Sequence, residues 1–209
     1  MEKFALYFIL FITYSFIGWV VEIINELIYN KRVINRGFLI GPYCPIYGFG
    51  AIIMISLLRD NSDLIGTFLK AMVICAFLEY MTSYIMEVLF KTRWWDYSNK
   101  KFNINGRICL ETLVLFGMGG CLLMYIVNPF LVGLCSKVPD LVLIIISILL
   151  FIIFITDFII SFNTINSFKN TVILKKDSTA EVSKRVRKIL NDRLAKAFPN
   201  IKELKKNNL

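Results

Sequence analysis

The sequence predicts an all-α fold: a polytopic transmembrane helical bundle of about five spans, followed by a basic amphipathic cytoplasmic helix at the C-terminal end. Three observations predict it. Hydrophobic residues make up 57% of the 209, with a mean hydropathy of +0.65, against roughly 45–50% apolar in a soluble domain. Several apolar runs reach the roughly 20 residues that a helix needs to cross the hydrocarbon core. Finally, the basic residues fall on alternate connections between those runs.

The first run, Phe4 to Ile24, follows Lys3 as a secretory signal would. It is too long for such a segment and continues into Glu22, Asn25 and Glu26 with no small-residue cleavage site, so it is expected to remain as span one. Tyr43 to Leu58 is shorter and interrupted by Pro45, Gly48 and Gly50, which makes it the weakest of the five. Leu64 to Leu89 and Ile108 to Cys135 are long enough to cross with tilt, and Leu141 to Phe162 carries Asp157 as its one charge. The chain divides into a membrane domain over 1–165 and a basic helical tail over 166–209.

Five spans put the termini on opposite sides. Lys31, Arg32 and Arg36 follow span one; Lys91, Arg93, Lys100, Lys101 and Arg107 follow span three; twelve more lie between Lys169 and Lys206. Only Lys3, Arg59, Lys70 and Lys137 remain for the other side. By the positive-inside rule the N-terminus is outside and the C-terminus cytoplasmic. A re-entrant second segment would destroy the asymmetry. The net charge of +9 is thus a topology signal, and no nucleic-acid partner follows from it. In the tail, Ser178 and Glu181 form a capping box, and Val182, Val186, Ile189, Leu190, Leu194, Ala197 and Phe198 form an apolar stripe. Such a helix either lies on the anionic leaflet or docks on a cytoplasmic partner.

Several chemistries are not supported. The five cysteines, Cys44, Cys75, Cys109, Cys121 and Cys135, form no CxxC pair, and histidine is absent, so neither a zinc site nor a Ser-His or Cys-His catalyst follows from this chain. No Walker A or dinucleotide loop occurs. No cofactor is implied, and any ATP hydrolysis would belong to a separate protein.

The candidate site residues lie at the cytoplasmic ends of the spans. Glu22 and Glu26 are one turn apart with Trp19 above them; Glu79, Ser83 and Glu87 recur every four residues and make one face of span three polar. Glu111 lies early in span four, and Asp157 with Ser161 forms an i, i+4 pair in span five. A charge at mid-bilayer costs roughly 2.5–3.5 kcal/mol on insertion scales, so these carboxylates should face one another, a cavity, or the basic partners Arg36, Arg93 and Arg107. Such a cluster serves either as a cytoplasm-facing site for a cation, proton or polar headgroup, or as ion pairs that fix helix packing. Two connections add to it. Residues 35–50 mix Gly37, Gly41, Gly48, Gly50, Pro42 and Pro45 with aromatics, an irregular backbone that survives at membrane depth only when buried or lining a cavity. Arg93-Trp94-Trp95-Asp96-Tyr97-Ser98 and Asn103-Ile104-Asn105-Gly106-Arg107-Ile108-Cys109 put indole rings at an interface beside Asp96 and Arg107. Arg36, Arg107, Trp95 and Asp96 are expected to border one cavity.

At these residues the chain resembles the ABC-transporter type IV (CmpB-like) family of small bacterial membrane proteins. The resemblance lies in Asn35-Arg36-Gly37-Phe38-Leu39 and on to Gly50, in Glu79-Tyr80 with Glu87, in Trp94 to Ser98, and in Asn103 with Gly106 to Cys109. Where a Trp-Gly pair is expected in span four, this chain has Phe116-Gly117. The resemblance implies a permease-like subunit that works with a separate ATPase, substrate unspecified. The substrate-binding candidates are Glu22, Arg36, Glu79, Glu87, Trp95, Asp96, Arg107 and Asp157. The alternatives are a membrane-embedded enzyme, a lipid-headgroup-binding protein, or a non-transporting accessory subunit. Five spans are few for a complete transporter, so a homodimer or larger complex is expected, with the lipid bilayer as the first partner.

Overall fold

The computed structural model describes residues 2–31, 37–58, 63–90, 93–168 and 188. Four helices are long and apolar enough to cross a membrane, and a shorter apolar one joins them. In chain order they are α1 (Glu2–Asn30), the short α2 (Pro45–Leu57), α3 (Leu64–Phe90), a fourth segment that opens with α4 (Leu110–Leu122), and α6 (Asp140–Phe168). The fourth continues through a π-helical turn (Leu123–Val127) into α5 (Asn128–Cys135). A small antiparallel hairpin, β1 (Asn103–Ile104) with β2 (Ile108–Cys109), precedes α4. The all-α bundle expected from sequence is therefore present. Arg36 and, apart from residues 166–168 and Lys188, the expected tail helix lie outside the described residues.

The π turn has a local cause. Pro129 has no N–H and its ring crowds the carbonyl four residues back; the Asn128 amide instead reaches the carbonyl of Leu123, five back. Helix α2 is short for an equally local reason. Its 13 residues rise about 20 Å, less than the roughly 30 Å core. Its N-terminal end is pinned to the middle of α1, where the Cys44 amide donates to the Ser15 carbonyl at 2.8 Å. Helix α2 thus covers about two-thirds of the core thickness and is preceded by irregular backbone, residues 37–44.

Helix directions follow from which side chains meet. Tyr47 lies against Gly18, and Gly48 against Ser15 and Phe11, so α2 runs antiparallel to α1. Phe8 packs edge-on to Phe151, and Phe11 to Phe154, so α6 runs parallel to α1, as an odd number of crossings requires. Arg107, just before α4, pairs with Glu87 near the end of α3, Gly117 lies against Phe68 and Met72, and Cys121 reaches the Leu64 carbonyl at its start, so α4 runs antiparallel to α3. Small residues at both contacts let backbones approach closely, the usual mode of helix association in lipid.

The interior is graded along the bundle. Away from the hairpin end, Leu10, Tyr14, Ala51 and Ile55 form an apolar core with Leu123, Met124, Val127 and Leu131 packed against it, tying α1 and α2 to the fourth segment. Met54, Leu58 and Ala71 extend it toward α3. Toward the hairpin end the apolar filling gives way to carboxylates, tyrosines and two connections. Outward faces carry large exposed apolar side chains such as Leu149 and Ile153, as a hydrocarbon solvent requires.

Candidate functional site

Gly18 makes the first half of the site. A Cβ there would overlap the Tyr47 ring; its absence lets that ring lie on the α1 backbone and send its hydroxyl one turn along to Glu22, donating to Oε1 at 2.7 Å. The far side of Tyr47 meets Phe116 of α4 edge-on, with ring centroids 6.2 Å apart.

Glu79 of α3 makes the second half. It lies eleven residues from the C-terminal end of that helix, about 16 Å along the axis, and is buried with 5% exposure. The Tyr97 hydroxyl donates to its Oε1 at 3.0 Å, and its Oε2 has no hydrogen-bond partner. Burial first, and then the charge of Glu79, push the Tyr97 phenol well above its usual titration range, so it stays a donor. Glu22 lies within the electrostatic field of both Glu79 and Tyr97. The two carboxylates therefore share one region, each anchored by a neutral phenol and neither bonded to a lysine or arginine among the described residues.

Tyr97 is placed by the hairpin. Asn105 and Gly106 have φ of 53° and 66°, both in the left-handed region that an Asn-Gly turn supplies; the Arg107 amide closes the turn on the Ile104 carbonyl at 3.0 Å. The Gly106 carbonyl accepts from the Tyr97 amide at 2.8 Å, and the Arg107 carbonyl from the Trp95 indole at 2.9 Å. Arg107 in turn fastens the hairpin to α3. Its guanidinium lies between Tyr80 and Tyr84, 5.6 and 5.5 Å from the ring centroids, donates to Ser83 at 3.1 Å, and pairs with Glu87 at 2.8 Å. Arg93 pairs with the same Glu87 at 3.1 Å and lies 3.7 Å from Asp96.

Asp157 does something different. Its Oδ1 accepts from the Ile40 amide at 3.0 Å and Ser161 at 2.8 Å; its Oδ2 accepts from the Gly41 amide at 2.7 Å and the Tyr43 hydroxyl at 2.6 Å. Irregular backbone at membrane depth has amides that no helix satisfies, and this carboxylate satisfies two of them. Phe38 packs between Trp94 and Phe158, joining segment 37–44 to the second connection and to α6.

The sequence-predicted residues thus separate into three groups. Glu22, half-buried, and Glu79, buried, lie close enough to feel each other's charge; Glu87, Arg107, Arg93, Asp96 and Trp95 form the hairpin mount at the rim; Asp157 holds segment 37–44. Glu111 pairs with Lys100 at 2.8 Å on the surface, where such pairs are worth little. Sequence reasoning missed Tyr47, Tyr97, Phe116 and Gly18. The first three lay inside quoted motifs, but Gly18 carried no signal of its own. Among the described residues no group of three or more His, Cys, Asp or Glu side chains is placed to hold a metal ion.

The family model described as "Putative ABC-transporter type IV" matches residues 9–162. The chain belongs to that family. Its match runs from within α1 to Phe162 in α6, and so covers every described residue of the site. This type IV family member is a membrane protein of a transport-related family. No curated protein and no solved structure matches it.

Proposed function

We propose that the chain is a permease-like transport component of a bacterial inner membrane, with a cytoplasm-facing polar site that takes a positively charged ligand between Glu22 and Glu79. The observation that carries the proposal is the free Oε2 of Glu79, buried and without a donor, beside a second carboxylate that also has no cationic partner among the described residues. Two carboxylates in a low-dielectric interior repel each other and cost free energy unless a positive charge joins them.

The site's position favours transport over a fixed structural role. Glu22 and Tyr47 belong to α1 and α2, while Glu79, Tyr97 and Phe116 belong to the side built from α3, the hairpin and α4. A ligand there would bridge two groups of helices that the apolar core joins at the opposite end of the bundle. A broken second crossing whose helix starts near mid-depth is a recurrent element of transporter sites. Anion or headgroup binding is less favoured, because Arg107 and Arg93 already face Glu87 and Asp96.

The hairpin connection carries Arg93, Lys100, Lys101 and Arg107, which supports a cytoplasmic placement of the site's mouth and the C-terminus, with the N-terminus outside. A separate ATPase and a second copy of this chain are the expected partners. In a cysteine-free variant, Asn99→Cys, at an exposed position, should react with a membrane-impermeant maleimide in inverted vesicles and stay unmodified in sealed right-side-out ones; the reverse pattern would overturn the orientation. Purification from native membranes in mild detergent should bring down a nucleotide-hydrolysing subunit, and ATPase activity that never accompanies the chain would remove the ABC part of the proposal.

A further inference from the structure

Resting on that reading, we infer that the ligand group held between Glu22 and Glu79 is a protonated amine, the N–H-bearing ammonium end of an organic cation. Three features choose this chemistry. Each carboxylate has one oxygen occupied by a tyrosine hydroxyl, at 2.7 Å for Glu22 and 3.0 Å for Glu79, and the second oxygen of Glu79 is buried with no donor. A donor is what that oxygen lacks. An ammonium offers three N–H donors, enough to reach both carboxylates and the spare lone pair of a phenol.

The oxygen count is wrong for hard divalent cations. Calcium takes six to eight oxygen ligands and magnesium a near-ideal octahedron that keeps several waters, whereas this region offers two carboxylates with phenols already donating to them, and among the described residues no group of three or more His, Cys, Asp or Glu side chains is placed to hold a metal ion. The walls fit an alkylammonium better. Tyr47 and Phe116 present an aromatic pair beside Glu22, and Tyr97 stands beside Glu79; aromatic faces attract organic cations and tolerate their methylene groups. The ligand would also bridge the two sides of the seam, with Glu22 on α1 and Glu79 on α3, so occupancy is coupled to how closely those helices approach.

The test uses the full-length chain in mild detergent, with unfolding followed by tryptophan fluorescence at constant pH and ionic strength. n-Butylammonium should raise the unfolding midpoint saturably. Tetramethylammonium, which has no N–H, should do so at least tenfold more weakly, and potassium, magnesium and butanesulfonate should not. Glu79→Gln and, independently, Glu22→Gln should each abolish the n-butylammonium effect, while Glu111→Gln, which removes an exposed carboxylate outside the site, should retain it. Equal stabilisation by tetramethylammonium or potassium, lost in Glu79→Gln, would overturn the ammonium assignment and leave a cation site standing. Stabilisation by magnesium or by butanesulfonate alone would overturn it as well. No cation effect, with Asn99→Cys still labelled from the cytoplasmic side, would overturn the ligand class without touching the orientation.

Discussion

Replacing Asp157 by asparagine should loosen segment 37–44, and the size of the effect follows from counting acceptors. Each carboxylate oxygen receives one backbone amide and one hydroxyl: Ile40 and Ser161 on Oδ1, Gly41 and Tyr43 on Oδ2. An asparagine keeps one oxygen and puts an NH₂ in place of the other. A hydroxyl can rotate to accept from that NH₂, but a backbone N–H cannot, so either amide orientation strands one of Ile40 or Gly41. A stranded buried donor costs about 1–3 kcal/mol, and the remaining bonds lose their ionic assistance, about 1 kcal/mol more. Removing a buried charge offsets part of this, so a net loss of about 2–4 kcal/mol is expected for Asp157→Asn. Asp157→Ala strands both amides and should lose more; Ser161→Ala removes one donor and leaves the amides paired, so it should lose about 1 kcal/mol or less. Reversible unfolding in mixed micelles with SDS, read by tryptophan fluorescence, suits the question, because Trp94 is buried against Phe38 of the segment itself. An Asp157→Asn variant within about 0.5 kcal/mol of wild type would refute the account, as would an Asp157→Ala variant less destabilised than Ser161→Ala.

Three further outcomes follow from the contacts. Gly18→Ala should displace Tyr47 from Glu22, because the new Cβ overlaps the ring; a loss of about 1–3 kcal/mol is expected in the same unfolding assay, and adding Tyr47→Ala should relieve most of the overlap. Gly106→Ala should cost about 1–2 kcal/mol at a φ of 66°, and more because a Cβ there meets Asp96 and Ser98 at 2.5 Å; protease cleavage after Lys100 or Lys101 should speed up. Arg107→Met should destabilise by about 1–2 kcal/mol through the lost ring stack and the lost bond to Ser83, since Arg93 still pairs with the partly exposed Glu87; the double variant with Glu87→Gln should recover part of the loss, and strict additivity of the two single effects would show that the pair is uncoupled.

Long helices were legible in the sequence because their signal is local: α1, α3 and α6 each present an apolar run long enough to cross, and charge between runs orders them. The shortness of α2 was also readable, from Pro45, Gly48 and Gly50. What stayed hidden depends on partners distant in the chain. Glu87 could be seen as a carboxylate needing a cation, but the choice of Arg107 is made by a hairpin whose strands are two residues each, too short for any alternation; the Asn105-Gly106 pair was its one local mark. For Asp157 the sequence shows the i, i+4 partner Ser161, which bonds it, but leaves another carboxylate, a cavity or an arginine as the rest; those remaining partners are the Tyr43 hydroxyl and the amides of Ile40 and Gly41, and backbone amides have no residue signature. The π turn is marked by Pro129, although a proline inside an apolar run is equally compatible with a kink.

The three acidic arrangements differ in what each leaves unsatisfied, and that difference separates scaffold from site. Asp157 accepts four hydrogen bonds, and Glu87 faces two guanidinium groups; both are complete without a ligand, and removing a partner from either should be felt as lost stability. Glu79 keeps a buried oxygen with no donor and shares its field with Glu22. A protein gains nothing in stability from leaving a buried carboxylate oxygen without a donor beside a second carboxylate, which is why we propose a ligand there. The surrounding parts fit that division of labour. Asp157 and the Glu87–Arg107–Arg93 group each fix one connection, segment 37–44 and the 93–109 hairpin region, and those connections in turn deliver the Tyr47 and Tyr97 hydroxyls to the two carboxylates. Rigid mounts on both sides with an unmet charge between them are what a binding site at a helix seam requires. Substitutions in the mounts should therefore change stability first, while substitutions at Glu22 and Glu79 should change ligand response first.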